Sequence, residues 1–328
     1  MRAMVYDTDG PELGVLRAVE LPDPQPGPGE VRVRVVVSGV NPTDWKARAV
    51  GAGPRPWPWQ VPGHDGAGVI DRVGTGVDPS RIGQRVWLHL AAHQHAYGAA
   101  AEYVCLPSRR AVVLPDGIDL DLGAGLGIPA LTAHRCLFAD GDVRGRTVLV
   151  TGGGGAVGHV AIQLARHAGA RVITTVSGPE KAAIAATARP DVTLNYHEPD
   201  HREQLRHAAP DGIDRVVDVD VAANLSTYRE LLDEAAVVSV YAASMVAPDL
   251  TAPVRPLMAS NVLLRFMLLY GVSQEDLDAG VVHVTRLLEE DGIVGMPTVR
   301  FPLEDLESAH AAVRDGVAAK VLVDIAPA

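Results

Sequence analysis

Residues 147–181 read TVLVTGGGGAVGHVAIQLARHAGARVITTVSGPEK, and the chemistry such a stretch can do is to hold a phosphate. The run TVLVT is β-branched and apolar, the glycines break it, and Val157, Ile162, Leu164 and Ala165 resume at helical spacing, so it reads as strand, tight turn and helix. Gly153, Gly155 and Gly158 satisfy G-x-G-x-x-G at that junction, with Ala156 and Val157 opening the helix. The first glycines let the backbone turn and come close to a pyrophosphate, the helix N-terminus offers N–H groups and positive dipole, and Gly158 lets helix and strand pack. The competing reading is a glycine-rich turn that binds nothing. Strand, turn and helix in register favour the dinucleotide.

A cofactor with a free ribose 2′-OH is usually held by Asp or Glu at the end of the second strand. Here that strand, RVITTV, ends in Ser177 and Gly178, and Lys181 follows. A hydroxyl and a cation suit a 2′-phosphate, which favours NADPH over NADH. On its own, Lys181 is equally a solvated helix-start lysine beside Glu180.

The elements that must position these groups fall into two textures. Residues 1–121 show short strands with Pro and Gly punctuation (VRVRVVVSGV, GAGVIDRVG, QRVWLHL, AAEYVCLP), which suggests a small β-barrel. Residues 122–267 alternate strands (TVLVT, RVITTV, VTLNY, RVVDVD, VVSVYAAS) with Ala-rich helical segments, which suggests a parallel sheet with helices on both faces. The tail 268–328 carries two helical patterns and a final strand, KVLVDI, and is expected to rejoin the barrel.

Composition limits the partners. The chain has 328 residues, 47% hydrophobic and 21% charged, which suits two soluble domains. A formal charge of −11 disfavours nucleic acid and anionic lipid. Cys105 and Cys136 alone build neither a disulfide framework nor a four-cysteine zinc lobe, which fits the cytoplasm. The N-terminus lacks the apolar core of a signal peptide, and no stretch reads as a membrane span.

GEVRVRVVVSGVNPTDWKAR, VPGHDGAGVIDRVG, GQRVW, GAAAEYVCLP, LTAHRCL, the glycine stretch, GIDRVVDVD and AHAAVRDGVAAKVLVDI occur in this order. Together they resemble the zinc-independent quinone oxidoreductase (zeta-crystallin-like) branch of the medium-chain dehydrogenase/reductase superfamily. The resemblance implies an α/β chain: a GroES-like β-barrel catalytic domain (1–121 and 268–328), a Rossmann doubly wound parallel-sheet cofactor domain (122–267), and a cleft between them. It also implies that Ser177, Lys181 and Tyr196 bind the adenosine phosphate of NADPH, that Asn41 and Thr132 face the nicotinamide, and that the protein is a homodimer formed along the sheet edge near VVSVYAAS and NVLLRFMLL.

Within the superfamily, the alcohol dehydrogenase branch uses zinc to polarise a carbonyl. VPGHDGAG resembles the segment that supplies a histidine to that metal, which would be His64. The expected cysteine partners, however, are Asn41 and Ile128, so His64 reads as a cleft or core histidine and no metal is expected. His89, His93 and His95 could chelate a metal, but they fall in a variable loop with no acid or cysteine close in sequence. His95 and Tyr97 read instead as residues at the cleft rim touching substrate.

Without a Lewis acid the acceptor must already be electrophilic, as a quinone or an enone is. Asn41 is the expected hydrogen-bond donor to the developing enolate, with solvent or a tyrosine returning the proton. All four tryptophans lie between 45 and 87. Trp57 and Trp59, in PRPWPWQVP, are expected to stack on a planar acceptor near Trp45, with barrel packing as the equal alternative; Trp87 reads as core. Tyr241, where relatives commonly carry glycine beside the nicotinamide, reads as a pocket-narrowing residue, a proton donor or a core residue. Lys320 follows Ala319 where Gly-Lys is usual, so it is not assigned to the cofactor. Two other functions fit less well: an enoyl-thioester reductase using Lys46, Arg48 and Arg55 against a CoA phosphate, and a non-catalytic NADPH-binding sensor or structural protein.

Overall fold

Alternation in EVRVRVVVSG gives the longest strand, and the apolar run TVLVT gives one covered on both faces. The computed structural model describes residues 1–326 except 9, 11–13, 51–55 and 246–248. In chain order the strands are β1 (Arg2–Val5), β2 (Arg17–Glu20), β3 (Glu30–Gly39), β4 (Asp65–Val73), β5 (Arg85–Leu88), β6 (Tyr103–Pro107), β7 (Ala111–Val113), β8 (Thr147–Thr151), β9 (Arg171–Val176), β10 (Val192–Asn195), β11 (Ile213–Asp218), β12 (Leu232–Val240), β13 (Leu263–Phe266), β14 (Thr298–Pro302) and β15 (Lys320–Asp324). The helices are α1 (Pro42–Val50), α2 (Leu120–Ala124), α3 (Gly127–Phe138), α4 (Ala156–His167), α5 (Pro179–Thr187), α6 (His201–Ala208), α7 (Val221–Tyr228), α8 (Val254–Ala259), α9 (Gln274–Glu289) and α10 (Leu306–Arg314). The chain divides into two units, Met1–Ile128 with Pro297–Ala328, and Pro129–Met296.

In the first unit a mixed sheet runs β14-β15-β3-β4-β5-β7, with β6 also paired to β3 and β1 paired to β2. Every pair is antiparallel except β14–β15. Valines of β3 and β15 meet Ile70 of β4, Leu88 of β5 and Val104 of β6 in one core. Arg32 is the exception on β3: it is buried, so its charge needs partners. Asp71 supplies a two-point pair at 2.9 and 2.6 Å, and the Tyr103 ring lies 4.7 Å from the guanidinium.

In the second unit six strands pair in parallel in the order β10-β9-β8-β11-β12-β13. The order reverses beside β8, and the glycine turn follows β8, so the turn stands at the switch point where open α/β sheets bind ligands. No helix among the described residues is long and apolar enough to cross a membrane.

The tail departs from the sequence expectation. Helix α9, capped by Ser273, belongs to the second unit, and the chain returns to the first at Pro297 rather than at 268. Arg135 of α3 pairs with Asp276 at 2.7 Å, and Gly280 lies so close to α3 that a Cβ there would stand 3.1 Å from Leu131 and 3.2 Å from the His134 ring. These contacts dock α9 on α3, and no periodicity within α9 encodes them. The first boundary likewise falls after Ile128 rather than 121, because α2 packs on β3, β4 and β5.

Where the β3–β4 register slips between Val35 and Val37, Gly68 opposes Val35, and a Cβ on it would stand 2.1 Å from the Arg34 carbonyl oxygen. Gly68→Ala is therefore expected to lower stability by ~1–3 kcal/mol, the scale of overpacking. Denaturant unfolding followed by fluorescence of the four tryptophans, all in this unit, reads the loss.

Candidate active site

The phosphate-holding turn is built by close backbone approach. A Cβ on Gly153 would stand 2.1 Å from Thr174 Oγ1 of β9, one on Gly154 2.7 Å from the Cβ of Lys181, and one on Gly158 2.3 Å from the Gly152 carbonyl oxygen. Gly152 has a φ of 72°, in the region that favours glycine. Gly155 is the N-cap of α4; the nearest neighbour of a Cβ there is the Gly152 oxygen at 3.4 Å, which leaves its outer side open. Gly155, Ala156 and Val157 are half-exposed while Gly153 and Gly158 are buried. Two glycines thus make the packing possible, and the three residues at the helix start are left half-exposed.

Parallel pairing of Asn195 with Val176 brings the ends of β9 and β10 side by side, and the Tyr196 N–H donates to the Val176 carbonyl at 3.0 Å. Ser177 and Tyr196 therefore emerge together, both exposed. Lys181, in the first turn of α5, stands against Gly154. Burial lowers its pKa and Glu180 opposes the shift. No carboxylate follows β9 before Glu180.

At the carboxyl ends of β11, β12 and β13 a cavity of about 340 Å³ is lined by Asp220, Val240, Tyr241, Ala242, Phe266 and Leu268 among others. Burial pushes the Tyr241 phenol well above its ordinary range, which makes it a weak acid. The buried Asp218 carboxylate holds these strand ends together. Its Oδ1 accepts from Thr151 at 3.0 Å, from the Asp220 N–H at 2.8 Å and from Asn224 at 2.8 Å, and its Oδ2 accepts from the Tyr228 hydroxyl at 2.5 Å. Thr132 is buried on α3. Sequence reasoning missed Asp218, although RVVDVD ends an apolar strand in an acid, which is itself a signal.

In the first unit a second carboxylate organises a buried polar cluster. Asp65, at the start of β4, has no exposure and accepts from Asn41 Nδ2 at 2.7 Å and from the Ile128 N–H at 2.8 Å. Lys320 of β15, also buried, donates to Asn41 Oδ1 at 2.8 Å and to the Val40 carbonyl at 3.1 Å. Asp44 caps the segment, accepting from the Asn41 and His64 N–H groups at 2.8 and 3.2 Å. Burial pushes the Asp65 carboxyl up to about 7 against the opposing pull of Lys320 and Asn41. It pushes His64 and His310 down to about 4, so both rings are neutral at pH 7. Asn41, expected to face the nicotinamide, is 2% exposed and held between Asp65 and Lys320.

The positions that would hold zinc in the alcohol dehydrogenase branch do meet here, as Asn41, His64 and Ile128 around Asp65. They offer an amide, a neutral imidazole and an aliphatic side chain, beside a resident ammonium that would repel a dication. These residues do not fit a catalytic zinc, which needs three ligating side chains. Among the described residues no three His, Cys, Asp or Glu side chains are grouped to hold a metal ion, those of the His89–His95 loop included.

Two residues expected at the substrate side, Trp57 and His95, are joined by one that sequence reasoning passed over, the buried Gln60. Its Oε1 accepts from Trp57 Nε1 at 2.9 Å, and its Nε2 lies 2.7–3.1 Å from the carbonyls of Val61, His95 and Ala96. Trp59 meets Tyr97 edge to face at 5.2 Å, and His95 lies 5.7 Å from the same ring. Trp57 and Trp59 are half-buried, and Trp59 also leans on the core. Trp45 stands apart on α1, with the Lys46 ammonium 5.9 Å from its ring. Trp87 is wholly buried. Arg48, proposed for a CoA phosphate, is 4% exposed and lies 3.9 Å from Glu307, and Arg55 lies outside the described residues.

A parallel six-stranded unit with a phosphate-holding turn, joined to a mixed-sheet unit with a buried polar cluster, defines the class of two-domain dehydrogenases and reductases. The alcohol dehydrogenase GroES-like domain family matches residues 27–116, and the zinc-binding dehydrogenase family matches residues 156–284. A quinone oxidoreductase of Rattus norvegicus is 29% identical over 94% of this chain and 93% of its own. Among solved structures, a mycobacterial protein complexed with NADPH is 30% identical, with a TM-score of 0.84 and 99% of both chains covered. An NAD-dependent alcohol dehydrogenase is 28% identical, with a TM-score of 0.88, over 99% of this chain and 100% of that one. The chain belongs to the medium-chain dehydrogenase/reductase superfamily, in its quinone oxidoreductase branch, and is an oxidoreductase.

Gly158→Ala forces α4 away from the glycine turn. If the ~1–3 kcal/mol of overpacking falls on binding, dinucleotide affinity drops roughly 5- to 150-fold, measured by calorimetric titration, while the tryptophan fluorescence of the first unit stays unchanged.

Proposed function

We propose that the protein is an NADPH-dependent reductase that delivers hydride to quinones or α,β-unsaturated carbonyls without a metal. The observation that carries this reading is the Asn41–Asp65–Lys320 cluster. It fills the place of the metal with groups that cannot act as a Lewis acid on a simple ketone, so the acceptor must bring its own electrophilicity. The names of the relatives, quinone oxidoreductases among them, support it.

The second unit fits NADPH through its own residues. The N–H groups at Ala156 and Val157 receive the pyrophosphate, which the Cβ-free Gly155 lets approach, and Ser177, Lys181 and Tyr196 receive the 2′-phosphate, at a strand end where no carboxylate precedes Glu180. Bound there, NADPH supplies the hydride. The chain's residues do the rest. Asn41 directs its remaining N–H at the acceptor oxygen as negative charge develops there. Trp57 and Trp59, held by Gln60 and Tyr97 with His95 beside them, offer ring surface to a planar acceptor; His64 and Trp45 are the further candidates for contact with it. Tyr241 shapes the nicotinamide side and excludes water. Its weak acidity makes solvent the better source of the final proton.

The active form is a cytoplasmic homodimer. Strand β13 is the end strand of its sheet, and Phe266 and Leu268 beside it are 66% and 67% exposed. An apolar sheet edge of this kind is a liability unless another copy covers it.

Purified, chelator-treated protein is expected to oxidise NADPH with 1,4-benzoquinone, 9,10-phenanthrenequinone or a linear enone, followed by absorbance. Loss of turnover on chelation, restored by zinc, would sink the metal-free reading. Lys181→Ala is expected to lower the ratio of kcat/KM for NADPH over NADH by ~10-fold or more, the scale of one charge-assisted hydrogen bond; an unchanged ratio would remove Lys181 from the phosphate site.

A further inference from the structure

The ammonium of Lys320 is buried at the end of a built channel, against Asn41. Its stem passes two glycines: a Cβ on Gly39 would come within 3.3 Å of its Cε, and one on Gly125 within 3.7 Å of its Cγ. A buried ion pair is often matched or bettered in stability by apolar residues of the same shape, so packing alone does not explain a lysine here. What an apolar side chain could not do is choose between the two faces of an amide. The side-chain O and NH2 of asparagine are nearly the same size, and rotation by half a turn exchanges them. Lys320 can only donate, so it must face Oδ1; the Asp65 carboxylate can only accept, so it must face Nδ2.

We propose that Lys320 and Asp65 are positioning residues of the reductase: the ammonium, a resident cation in place of a metal, and the carboxylate together lock the Asn41 amide so that its second N–H is the donor given to the acceptor oxygen. The proposal rests on the reading of Asn41 given above. Both locking groups titrate within one cluster. Asp65 is faced by Lys320 from β15 and by Asp44 and Asn41 from the start of α1. Lys320 is faced by Asp65 and Asp44, and Asp44 in turn by His310 of α10, neutral above about pH 4. Protonation of Asp65 removes the charge that strengthens the acceptor holding Nδ2 and adds an O–H donor that competes for the amide's other face. Activity is therefore expected to fall as pH drops through the Asp65 pKa of about 7, and that limb to move to higher pH when the cation is removed.

The test compares Lys320→Met, Asp65→Asn and the double variant in the full chain, reading kcat and KM for 1,4-benzoquinone across pH, NADPH affinity and the thermal midpoint. Lys320→Met is expected to lower kcat by ~10- to 100-fold, with KM and NADPH affinity held within about twofold, and to shift the acid limb upward. The double variant, with both charges gone, is expected to recover the midpoint lost by the single variants but not kcat. Recovery of kcat together with the midpoint, or a limb that does not move, would overturn the proposal and leave the pair a purely structural role. A second readout is independent of turnover: in protein labelled with [15N]asparagine, the side-chain amide resonances assigned by their loss in Asn41→Ala should shift or broaden in Lys320→Met. Unchanged resonances would refute the lock whether or not the wild type reduces any acceptor. A shift on Lys320→Met, with a wild type that turns over nothing, would uphold the lock and refute the functional reading instead.

Discussion

A carboxylate with no access to water must have every partner supplied by the protein, and Asp65 is in that position. Its two oxygens accept from Asn41 at 2.7 Å and from the Ile128 backbone at 2.8 Å, and Lys320 lies one amide away. Groups separated by more than two hundred residues are thereby fixed against one another. The surrounding backbone is shaped to the same end. A Cβ on Gly127 would stand 2.2 Å from the Asp65 oxygen, so α3 can begin there only because that position has no side chain. A Cβ on Gly39 would stand 1.9 Å from the Ala124 carbonyl, so β3 and the end of α2 meet backbone to backbone beside the lysine stem. The first unit gives up side chains at these positions to bring polar groups together.

The second unit solves a similar problem at the carboxyl ends of its parallel strands. Asp218 gathers Thr151 from β8 and Asn224 and Tyr228 from α7, and the Tyr241 N–H returns to the Asp218 carbonyl at 3.1 Å. The floor under the glycine turn is therefore held by one buried acid, while the turn itself stays open at Gly155. Rigid support beneath and the helix-start N–H groups of Ala156 and Val157 above suit a phosphate, since donors of a first helical turn have no partner within the helix.

Burial decides which titratable groups can take part in chemistry near neutrality. His64, His159 and His310 are all driven to about 4, so these rings neither carry charge nor exchange it at pH 7. The Tyr228 and Tyr241 phenols are driven upward. Asp65 is moved up to about 7, where burial outweighs the opposing pull of Lys320 and Asn41.

Much of this was fixed by local sequence. The glycine spacing after an apolar strand determined the phosphate turn, because the backbone approaches it needs are permitted only by glycine. The missing carboxylate after RVITTV and the serine that stands there were equally plain, since register places the ends of neighbouring parallel strands together. The identities of Asn41 and Ile128 already argued against zinc. What the sequence could not decide was which distant groups would share a dry interior. Lys320 read as a doubtful cofactor residue, Gln60 as an unremarked polar residue in a proline-rich loop, and 268–296 as part of the barrel tail. Their roles come from contacts between segments far apart in the chain: the channel past Gly39 and Gly125, the carbonyls of residues 95 and 96, and the close face that Gly280 offers to α3. Local pattern encodes the elements and the turns between them, whereas the charge state and orientation of a buried polar group depend on everything that surrounds it, and only the packed structure supplies that.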